Sequence, residues 1–373
     1  MFLIGLAALS STCTGPTSIP TPTLEPSPTF QATRPGSRTP APAESSPQST
    51  SQSYLPLVSG SQHETATQKA ALVEEPTGTP LPSPTETPTT TPTAPPTPIN
   101  AGSIPTPILV ADRVRFAVIG DYGTNKDNER KVADLVKNWQ PDFIITTGDN
   151  NYPDGSADTI DVNIGHYYFE YISPYLGGYG AGSAINRFFP TLGAHDWQTT
   201  GAEPYLDYFS LPGNERYYEF IWGPVHFYAL DSDLHEPDGV KSDSYQAAWL
   251  RATLQRSSSC WDLVYFHQPP YTSGAGGDTA WMQWPFQEWG ANAVISGRDH
   301  IYERISADDF PYFVVGLGGD ETDDFKKTTP GSQVRYNTNY GALFVTATPI
   351  TMVYEFFNIQ GKLIDQFTQS GCK

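Results

Sequence analysis

The fold of this chain is decided by two stretches of sequence, VRFAVIGDYG (114–123) and FIITTGDNNY (143–152). Each is a short apolar run that ends in Gly-Asp, which is typical of a buried strand followed by a turn. Between them, apolar residues recur at helical spacing from Glu129 to Trp139, and Pro141 ends that helix. This order predicts a βαβ unit with acidic residues at the carboxyl ends of its strands, where open α/β sheets place their sites.

The rest of the chain adds further strands and helices. The segment YYEFIWGPVHFYALDSD (217–233) predicts a hairpin, and a helix at 245–255 leads into the strand WDLVYFHQ (261–268). Another strand is ANAVISGRDH (291–300), and the tail alternates like an antiparallel hairpin that turns at Gln360-Gly361. The mixture predicts an α/β (α+β) fold in which helices flank two packed sheets.

Composition divides the chain into three parts. Residues 14–107 are rich in Pro, Thr and Ser, and no alternating or helical apolar pattern runs through them. Such a segment cannot bury enough apolar surface to offset its ordering entropy, which predicts a disordered, extended stalk, either O-glycosylated or a plain linker. Residues 108–373 are rich in aromatic side chains and long enough for one large domain.

The first residues, MFLIGLAALSSTC (1–13), resemble the apolar part of an export signal that ends at a cysteine. They predict an exported, extracellular or cell-surface protein. Cys13 is either a lipid-anchored residue of a lipoprotein or part of a simple cleaved signal or short membrane anchor. The other two cysteines, Cys260 and Cys372, are candidates for a disulfide in an oxidising compartment.

The net charge of the chain argues against two kinds of partner. The whole chain carries −19 and residues 14–107 carry −3, which leaves −16 for residues 108–373 because the first 13 residues are uncharged. Nucleic acids and anionic membranes bind basic surfaces, so we expect no nucleic-acid partner and membrane contact only through an N-terminal anchor.

Polar residues follow five of the predicted strands. They occur in the motifs GDYG (120–123), GDNNY (148–152), GAHD (193–196), VYFH (264–267) and GRDH (297–300). Carboxylates, a phenol and imidazoles that converge at one sheet edge can bind a hard or borderline metal ion. A single Gly-Asp at a strand end is commonly only a turn, but five such motifs in this order predict a metal centre.

The order of these motifs resembles the signature GDxG, GDxxY, GNH[DE], VxxH and GHxH of purple acid phosphatases, a branch of the calcineurin-like metallophosphoesterases. The resemblance covers roughly residues 112–369. It implies a four-layer αββα sandwich of two mixed sheets and a small, tartrate-resistant acid phosphatase-like hydrolase whose substrates are phosphate monoesters. It also implies a ferric ion, Fe(III), bound by Asp121, Tyr152, His300 and the bridging Asp149.

By the same resemblance, a second, divalent ion (Fe, Zn or Mn) would share Asp149 and bind His267. Its other two ligands are missing, because the family's asparagine is Ala194 here and the first histidine of GHxH is Arg298. A methyl group cannot coordinate, and a guanidinium group offers only donors. The second site is therefore expected to be incomplete.

In the active interpretation, Arg298 replaces the second cation and binds phosphate oxygens with its planar fork. The ferric ion lowers the pKa of a bound water and supplies hydroxide for in-line attack on phosphorus. The resemblance gives His195 the role of orienting the phosphate or protonating the leaving oxygen. His267 is then a second acid/base or phosphate contact.

Three alternatives stay open. In the first, the protein is a catalytically inert surface protein that binds a phosphorylated or glycan ligand, and in the decayed site Arg298 forms an ion pair with Asp121, Asp149 or Asp196. In the second, other residues rebuild the second site, for example Asp196, Asn150 or Asn151. In the third, the substrates are phosphodiesters, because the surrounding loops rather than the metal ligands set the ester type.

Other polar residues have no motif context. His166, His226 and His235 are interpreted as ordinary surface or packed histidines. Asp231 and Asp233 follow an apolar strand and are expected near the mouth of the site, although an aspartate at a strand end is also a common turn residue.

Overall fold

A computed structural model describes residues 113–372. The predicted export signal, Cys13 and the stalk lie outside the described residues. Within residues 113–372 the strands are Val114–Ile119 (β1), Phe143–Thr146 (β2), Phe188–Phe189 (β3), Tyr218–Trp222 (β4), Val225–Ala229 (β5), Trp261–Tyr265 (β6), Ala293–Ser296 (β7), Tyr302–Ala307 (β8), Phe310–Val315 (β9), Ser332–Tyr336 (β10), Gly341–Ala347 (β11), Thr351–Asn358 (β12) and Leu363–Ser370 (β13). The α-helices are Asp127–Trp139 (α1), Ala157–Ile160 (α2), His166–Tyr168 (α3), Glu203–Tyr208 (α4), Tyr245–Arg256 (α5) and Phe286–Trp289 (α6).

The strands form two mixed sheets. One has the order β13-β12-β11-β1-β2-β3, and the other has the order β10-β8-β9-β7-β6-β5-β4. Strands β1, β2 and β3 are parallel to one another, and so are β5, β6, β7 and β9. The remaining strands pair antiparallel and extend each sheet outward.

Aromatic side chains fill the space between the two sheets. The ring of Phe227 on β5 lies 5.0 Å from that of Phe116 on β1 and 5.2 Å from that of Phe143 on β2, edge to face in both cases. All three side chains are fully buried. Such edge-to-face pairs stabilise a core beyond the area that they bury, so these contacts hold one sheet against the other.

Helices cover the outer faces of the sheets. Val132 and Val136 of α1 are buried, and α1 packs on β11 of the first sheet. On the second sheet, Leu250 of α5 and Phe286 of α6 share a separate buried cluster with Val264 of β6. The result is a four-layer αββα sandwich, as the motif resemblance implied.

The predicted elements are confirmed with small changes of boundary. Helix α1 begins at Asp127, two residues before the expected start, and ends before Gln140, whose left-handed backbone (φ 52°) is followed by Pro141. The tail hairpin turns at Gln360-Gly361 and gains β11 as a third antiparallel strand. The predicted disulfide is present between Cys260 and Cys372. Among the described helices, none is both long and apolar enough to cross a bilayer.

Candidate metal centre

The five predicted motifs converge at one edge of the sandwich. Parallel strands of both sheets point their carboxyl ends to this edge, and the residues that follow β1, β2, β6 and β7 meet there. Oxygens of Asp121 and Asp149 and a ring nitrogen of His267 all lie within 4.8 Å of one another. These three side chains are buried, so they form a compact set of potential metal ligands.

Tyr152 and His300 complete this cluster. The Tyr152 hydroxyl donates to Oδ2 of Asp149 at 3.2 Å and lies 3.3 Å from Nε2 of His300. Nε2 of His300 in turn lies 3.5 Å from Oδ1 of Asp121. His267 joins the cluster through a 3.4 Å contact from its Nε2 to Asp149 Oδ2. The structure therefore brings together the five residues predicted as metal ligands, which are Asp121, Asp149, Tyr152, His267 and His300.

Two buried atoms of this cluster, Oδ1 of Asp121 and Nε2 of His267, form no hydrogen bond with any residue in the range 113–372. The other ring nitrogen of His267, Nδ1, lies 2.8 Å from the carbonyl oxygen of Thr147 and donates to it, which leaves Nε2 for the cluster. Metal-bound histidines commonly donate their second nitrogen to a carbonyl in this way. Each of the two buried atoms has one charged neighbour at 3.5 or 3.4 Å but no hydrogen bond, and a metal ion would satisfy both atoms.

The protonation of the two histidines also fits a cation site. Burial by itself lowers the pKa of His267, but the charge of Asp149 raises that pKa to about 10. Burial likewise disfavours the charged form of Asp149, yet His267 lowers its pKa to about 2. The pKa of His300 rises to about 9 against the effect of burial, chiefly through Asp121. Burial raises the pKa of Asp121, and its contact with His300 opposes that shift. A metal ion bound by these carboxylates would displace the protons of the two imidazoles.

The phenol of Tyr152 needs a strong positive charge to ionise. Burial raises the pKa of Tyr152 well above its usual value, and the neighbouring carboxylates of Asp149 and Asp121 raise it further. Tyr152 can ionise to a phenolate here only if a bound cation lowers its pKa by more than burial and the two carboxylates raise it. The donor set of two carboxylates, a phenol and imidazoles suits a hard, highly charged ion.

The loops that carry these residues are held in uncommon backbone conformations. Asp121, Asp149 and Arg298 have φ values of 56°, 50° and 70° in the left-handed region. Gly148 also has a positive φ, and a Cβ there would overlap the ring of His267. Such strain at several loops of one cluster is characteristic of a functional site.

A buried carboxylate that sequence patterns did not single out supports the first loop. Both Thr124 and Asn125 donate backbone N–H groups to Oε2 of Glu129, at 2.9 and 2.6 Å. Glu129 belongs to the first turn of α1, so the start of the helix fixes the turn that follows Asp121. The capping function was hidden in the sequence because Glu129 looked like an ordinary helical position.

The two substituted positions remain part of the site. The residues on either side of Ala194 contact Asp149: the N–H of His195 donates to Asp149 Oδ1 at 2.8 Å, and a Cβ at Gly193 would overlap the same carboxylate. The backbone N–H of Arg298 donates to Asp121 Oδ2 at 2.9 Å. The main chain at Arg298 and on both sides of Ala194 therefore contacts the two carboxylates of the cluster.

The guanidinium group of Arg298 has neither an ion pair nor a hydrogen bond with any residue in the range 113–372. It lies against the backbone of Gly276, where a Cβ would overlap Nη1. The ion pair that the inert alternative predicts, between Arg298 and one of Asp121, Asp149 or Asp196, is thus not formed. The expectation was wrong because the side chain extends towards the 274–277 loop.

The side chains proposed to rebuild a second metal site have other partners. Asp196 accepts hydrogen bonds from the backbone of Asn150 and Gly193, and burial with the nearby charge of Asp149 raises its pKa to about 7. Asn150 donates to Asp196 and Thr191, and Asn151 donates to the carbonyl oxygen of Ser156. These contacts stabilise the loops and give no support to the rebuilt-site alternative.

The half-buried ring of His195 lies beside the cluster. Its centroid is 4.3 Å from that of Tyr152, and its Nε2 is 4.0 Å from Asp149 Oδ2. Nδ1 of His195 contacts the carbonyl oxygen of Pro153, which fixes the ring so that Nε2 faces the cluster. His195 is half-buried, so it can reach a substrate bound at the metal ligands.

Asp299, which follows Arg298, clamps the loop beside it. Its two oxygens accept from the Thr272 hydroxyl at 2.6 Å and from the Gly276 N–H at 2.7 Å. The loop that contacts the arginine is therefore fixed by the arginine's own neighbour. No sequence pattern links residues about 25 positions apart in this way, and only the glycine-rich stretch GAGG (274–277) hinted at a close approach of backbone.

This arrangement, a two-sheet sandwich with carboxylates and histidines at the carboxyl ends of its parallel strands, matches a known class of hydrolase. The sequence model of the calcineurin-like phosphoesterase family matches residues 114–302, more than half of the chain, so the chain belongs to that family. Phosphate esters are the substrates that this family name specifies.

The relatives narrow the class to a purple acid phosphatase-like metallophosphoesterase. The chain is 26% identical over 243 residues to purple acid phosphatase 17 of Arabidopsis thaliana, covering 55% of this chain and 68% of the relative. It is 23% identical over 311 residues to tartrate-resistant acid phosphatase type 5 of Sus scrofa, covering 71% of this chain and 88% of the relative. The implied metal centre agrees with the cluster described above.

Two solved structures share the fold. Purple acid phosphatase PPD1 from yellow lupin (Lupinus luteus) seeds has a TM-score of 0.57 at 16% identity, covering 72% of this chain and 55% of that one. GAP50, described as the anchor in the inner membrane complex of Plasmodium, has a TM-score of 0.54 at 17% identity, covering 70% of this chain and 89% of that one. At these identities the likeness establishes the fold alone.

Proposed function

We propose that this protein is an exported phosphatase that hydrolyses phosphate monoesters with one ferric ion at Asp121, Asp149, Tyr152 and His300. In this proposal Arg298 takes the place of the second ion. The observation that carries the proposal is the buried cluster itself, in which Asp121 Oδ1 and His267 Nε2 form no hydrogen bond and have only ion-pair contacts of 3.5 and 3.4 Å. A site that had lost its chemistry would be expected to satisfy such atoms with each other or with Arg298.

The ligand charges favour a single trivalent ion over a divalent pair. Two carboxylates and the phenolate of Tyr152 balance a 3+ charge, so the loaded site is close to neutral. When bound, the ion supplies Lewis-acid charge for the phosphoryl oxygens and lowers the pKa of water at the site. The unpaired guanidinium of Arg298 then adds a positive charge with a fork that matches two phosphate oxygens.

His195 provides the proton that the reaction requires. Attack of water on phosphorus forms one P–O bond and breaks the bond to the leaving oxygen, which then needs a proton. With Nδ1 held by the Pro153 carbonyl, Nε2 of His195 faces the cluster and is proposed to give a proton to that oxygen. His267, buried against Asp149, is proposed to hold the carboxylate in place and to complete the ligand set.

Export to an oxidising compartment belongs to the same proposal. The disulfide between Cys260 and Cys372 supports it, because such bonds persist in secreted and cell-surface proteins. The composition of residues 1–107 supports an apolar signal, with lipid attachment at Cys13 as one form of it, followed by a spacer. In this arrangement the catalytic domain stands away from the cell surface.

Substitution of Arg298 tests the role of the guanidinium group. Arg298→Ala should lower kcat/KM for p-nitrophenyl phosphate by roughly 100-fold, because one charge that stabilises the transition state is removed. Arg298→Lys should recover only part of this loss, since an ammonium group cannot bind two oxygens side by side. The measurement is steady-state kinetics on metal-loaded full-length protein, with metal content determined in parallel.

Arg251 on α5 offers a matched control, because it is an exposed arginine away from the site. Arg251→Ala should leave kcat/KM unchanged. If Arg298→Ala has the activity of the wild type at equal metal content, Arg298 does not replace a metal ion. If the metal-loaded wild type hydrolyses no phosphoester, the enzyme proposal fails and an inert binding protein on this fold is favoured.

A further inference from the structure

His235 is an exposed residue whose ring is nevertheless fixed in position. Its side chain is 72% accessible to solvent. Nδ1 lies 2.7 Å from Oδ1 of Asp233, and the backbone N–H of His235 donates to the same oxygen at 2.9 Å. One face of the ring stacks on the indole of Trp197, with centroids 5.9 Å apart and planes inclined by 24°.

The partners of His235 are themselves held by buried groups. The indole N–H of Trp197 donates to Oδ2 of Asp231 at 2.8 Å, and the N–H of Asp233 donates to Oδ1 of Asp231 at 3.0 Å. The backbone N–H of Asp231 donates to the buried side chain of Gln246 at 2.8 Å. A buried hydrogen-bond network therefore ends at an exposed imidazole.

This network is connected to the two chain segments that carry His195 and His267. Trp197 is two residues from His195, so their Cα atoms are at most about 7.6 Å apart. The residue between Asp231 and Asp233, Ser232, accepts a hydrogen bond at 2.8 Å from the backbone N–H of Gln268, which follows His267. The position of Asp231 and Asp233 near the mouth of the site stays a prediction.

Stability does not account for the fixed ring. An exposed side chain buries little apolar surface, whereas restricting its rotamers costs conformational entropy. Pre-organised aromatic rings with one free face are instead suited to stacking against a planar group of a ligand. Leu234, which is 67% exposed beside His235, adds apolar surface at the same place.

We propose that His235, backed by Trp197, forms the subsite for the leaving group and favours phosphate esters of planar aromatic alcohols over esters of aliphatic ones. The free face of the imidazole stacks on the aromatic ring while the phosphoryl group occupies the metal centre. This inference rests on the proposed function, because the leaving group is defined by where the phosphoryl group binds. It replaces the interpretation of His235 as an ordinary surface histidine.

The test compares two non-hydrolysable ligands, 1-naphthylmethylphosphonate and methylphosphonate, which share the anionic head and differ in the ring. Isothermal titration calorimetry on metal-loaded full-length protein should give about 10-fold tighter binding of the naphthyl compound. His235→Ala should reduce this ratio to about two without changing the Kd of methylphosphonate, and His235→Phe should keep most of the ratio. Tyr245, also 72% exposed, gives the control variant Tyr245→Ala, which should behave as the wild type.

The outcomes separate the subsite from the proposed function. An unchanged ratio in His235→Ala, or no binding of either phosphonate, overturns the subsite. Hydrolysis of 1-naphthyl phosphate and glycerol 3-phosphate, measured in parallel, tests the function independently. A wild type that shows the binding ratio but hydrolyses neither ester retains an aromatic-binding site at His235 and refutes the phosphatase proposal, and with it the leaving-group role of that site.

Discussion

Asp149→Asn should abolish metal binding and phosphatase activity together. Asp149 is the residue on which the centre converges: it contacts His267, Tyr152 and His195 through its two oxygens. An amide has no charge to offer a trivalent ion and would present an N–H group to one of these partners. We expect metal content to fall below about one-tenth per chain and kcat/KM to fall by about 1,000-fold or more.

Metal analysis and steady-state kinetics on the same preparation check this expectation. Circular dichroism and thermal unfolding establish that the variant is folded, and Asp121→Asn serves as a second variant in which one ligand of the same cluster is lost. Asp134, an exposed carboxylate on α1, gives the control Asp134→Asn, which should keep both metal and activity. A folded Asp149→Asn protein with a full complement of metal would contradict the assignment of the centre.

The double substitution Ala194→Asn with Arg298→His should raise the metal content from one ion per chain towards two. The backbone N–H of Arg298 contacts Asp121, and His195, the neighbour of Ala194, contacts Asp149 through its own N–H, so both new side chains would begin next to the metal ligands. The φ of 70° at position 298 is also compatible with the change, because histidine is among the residues enriched in the left-handed region. The amide oxygen and the imidazole would then join Asp149 and His267 as ligands.

The two single substitutions show how much of the gain in metal content comes from removing the charge of Arg298 and how much from adding a ligand. Arg298→His alone removes a fixed positive charge and adds a ligand, so it should raise metal content more than Ala194→Asn alone, which leaves the guanidinium in place. Metal content is measured after dialysis against a chelator-treated buffer. A double variant that still binds one ion per chain would show that the second pocket differs from that of its relatives at further positions.

Much of the fold was predictable because strands, helices and turns are encoded by residues that lie close together in the sequence. Strand ends at Asp121 and Asp149, the helix between them and the tail hairpin all follow from apolar periodicity and turn residues within short windows. The order of the motifs then predicted that their side chains meet. The structure confirms this convergence because parallel strands bring their carboxyl ends to one edge.

Contacts between distant segments could not be predicted in the same way. The direction of the Arg298 side chain depends on the loop at Gly276, and the place of His235 depends on Trp197, with no periodic pattern connecting either pair. Sequence patterns also assigned His267 mainly to the broken second site. Its buried Nε2, which forms no hydrogen bond and lies 3.4 Å from Asp149 Oδ2, places it in the same cluster as Asp121 and Asp149.

The most direct test of the central proposal is the visible spectrum of the full-length protein, recorded with its iron content, for the wild type and Tyr152→Phe. If Tyr152 binds a ferric ion as a phenolate, the wild type should contain about one iron per chain and show a purple charge-transfer band. That band should vanish in Tyr152→Phe even where iron is retained. A colourless wild type that contains iron, or a band that survives in Tyr152→Phe, would contradict a tyrosinate-bound ferric centre.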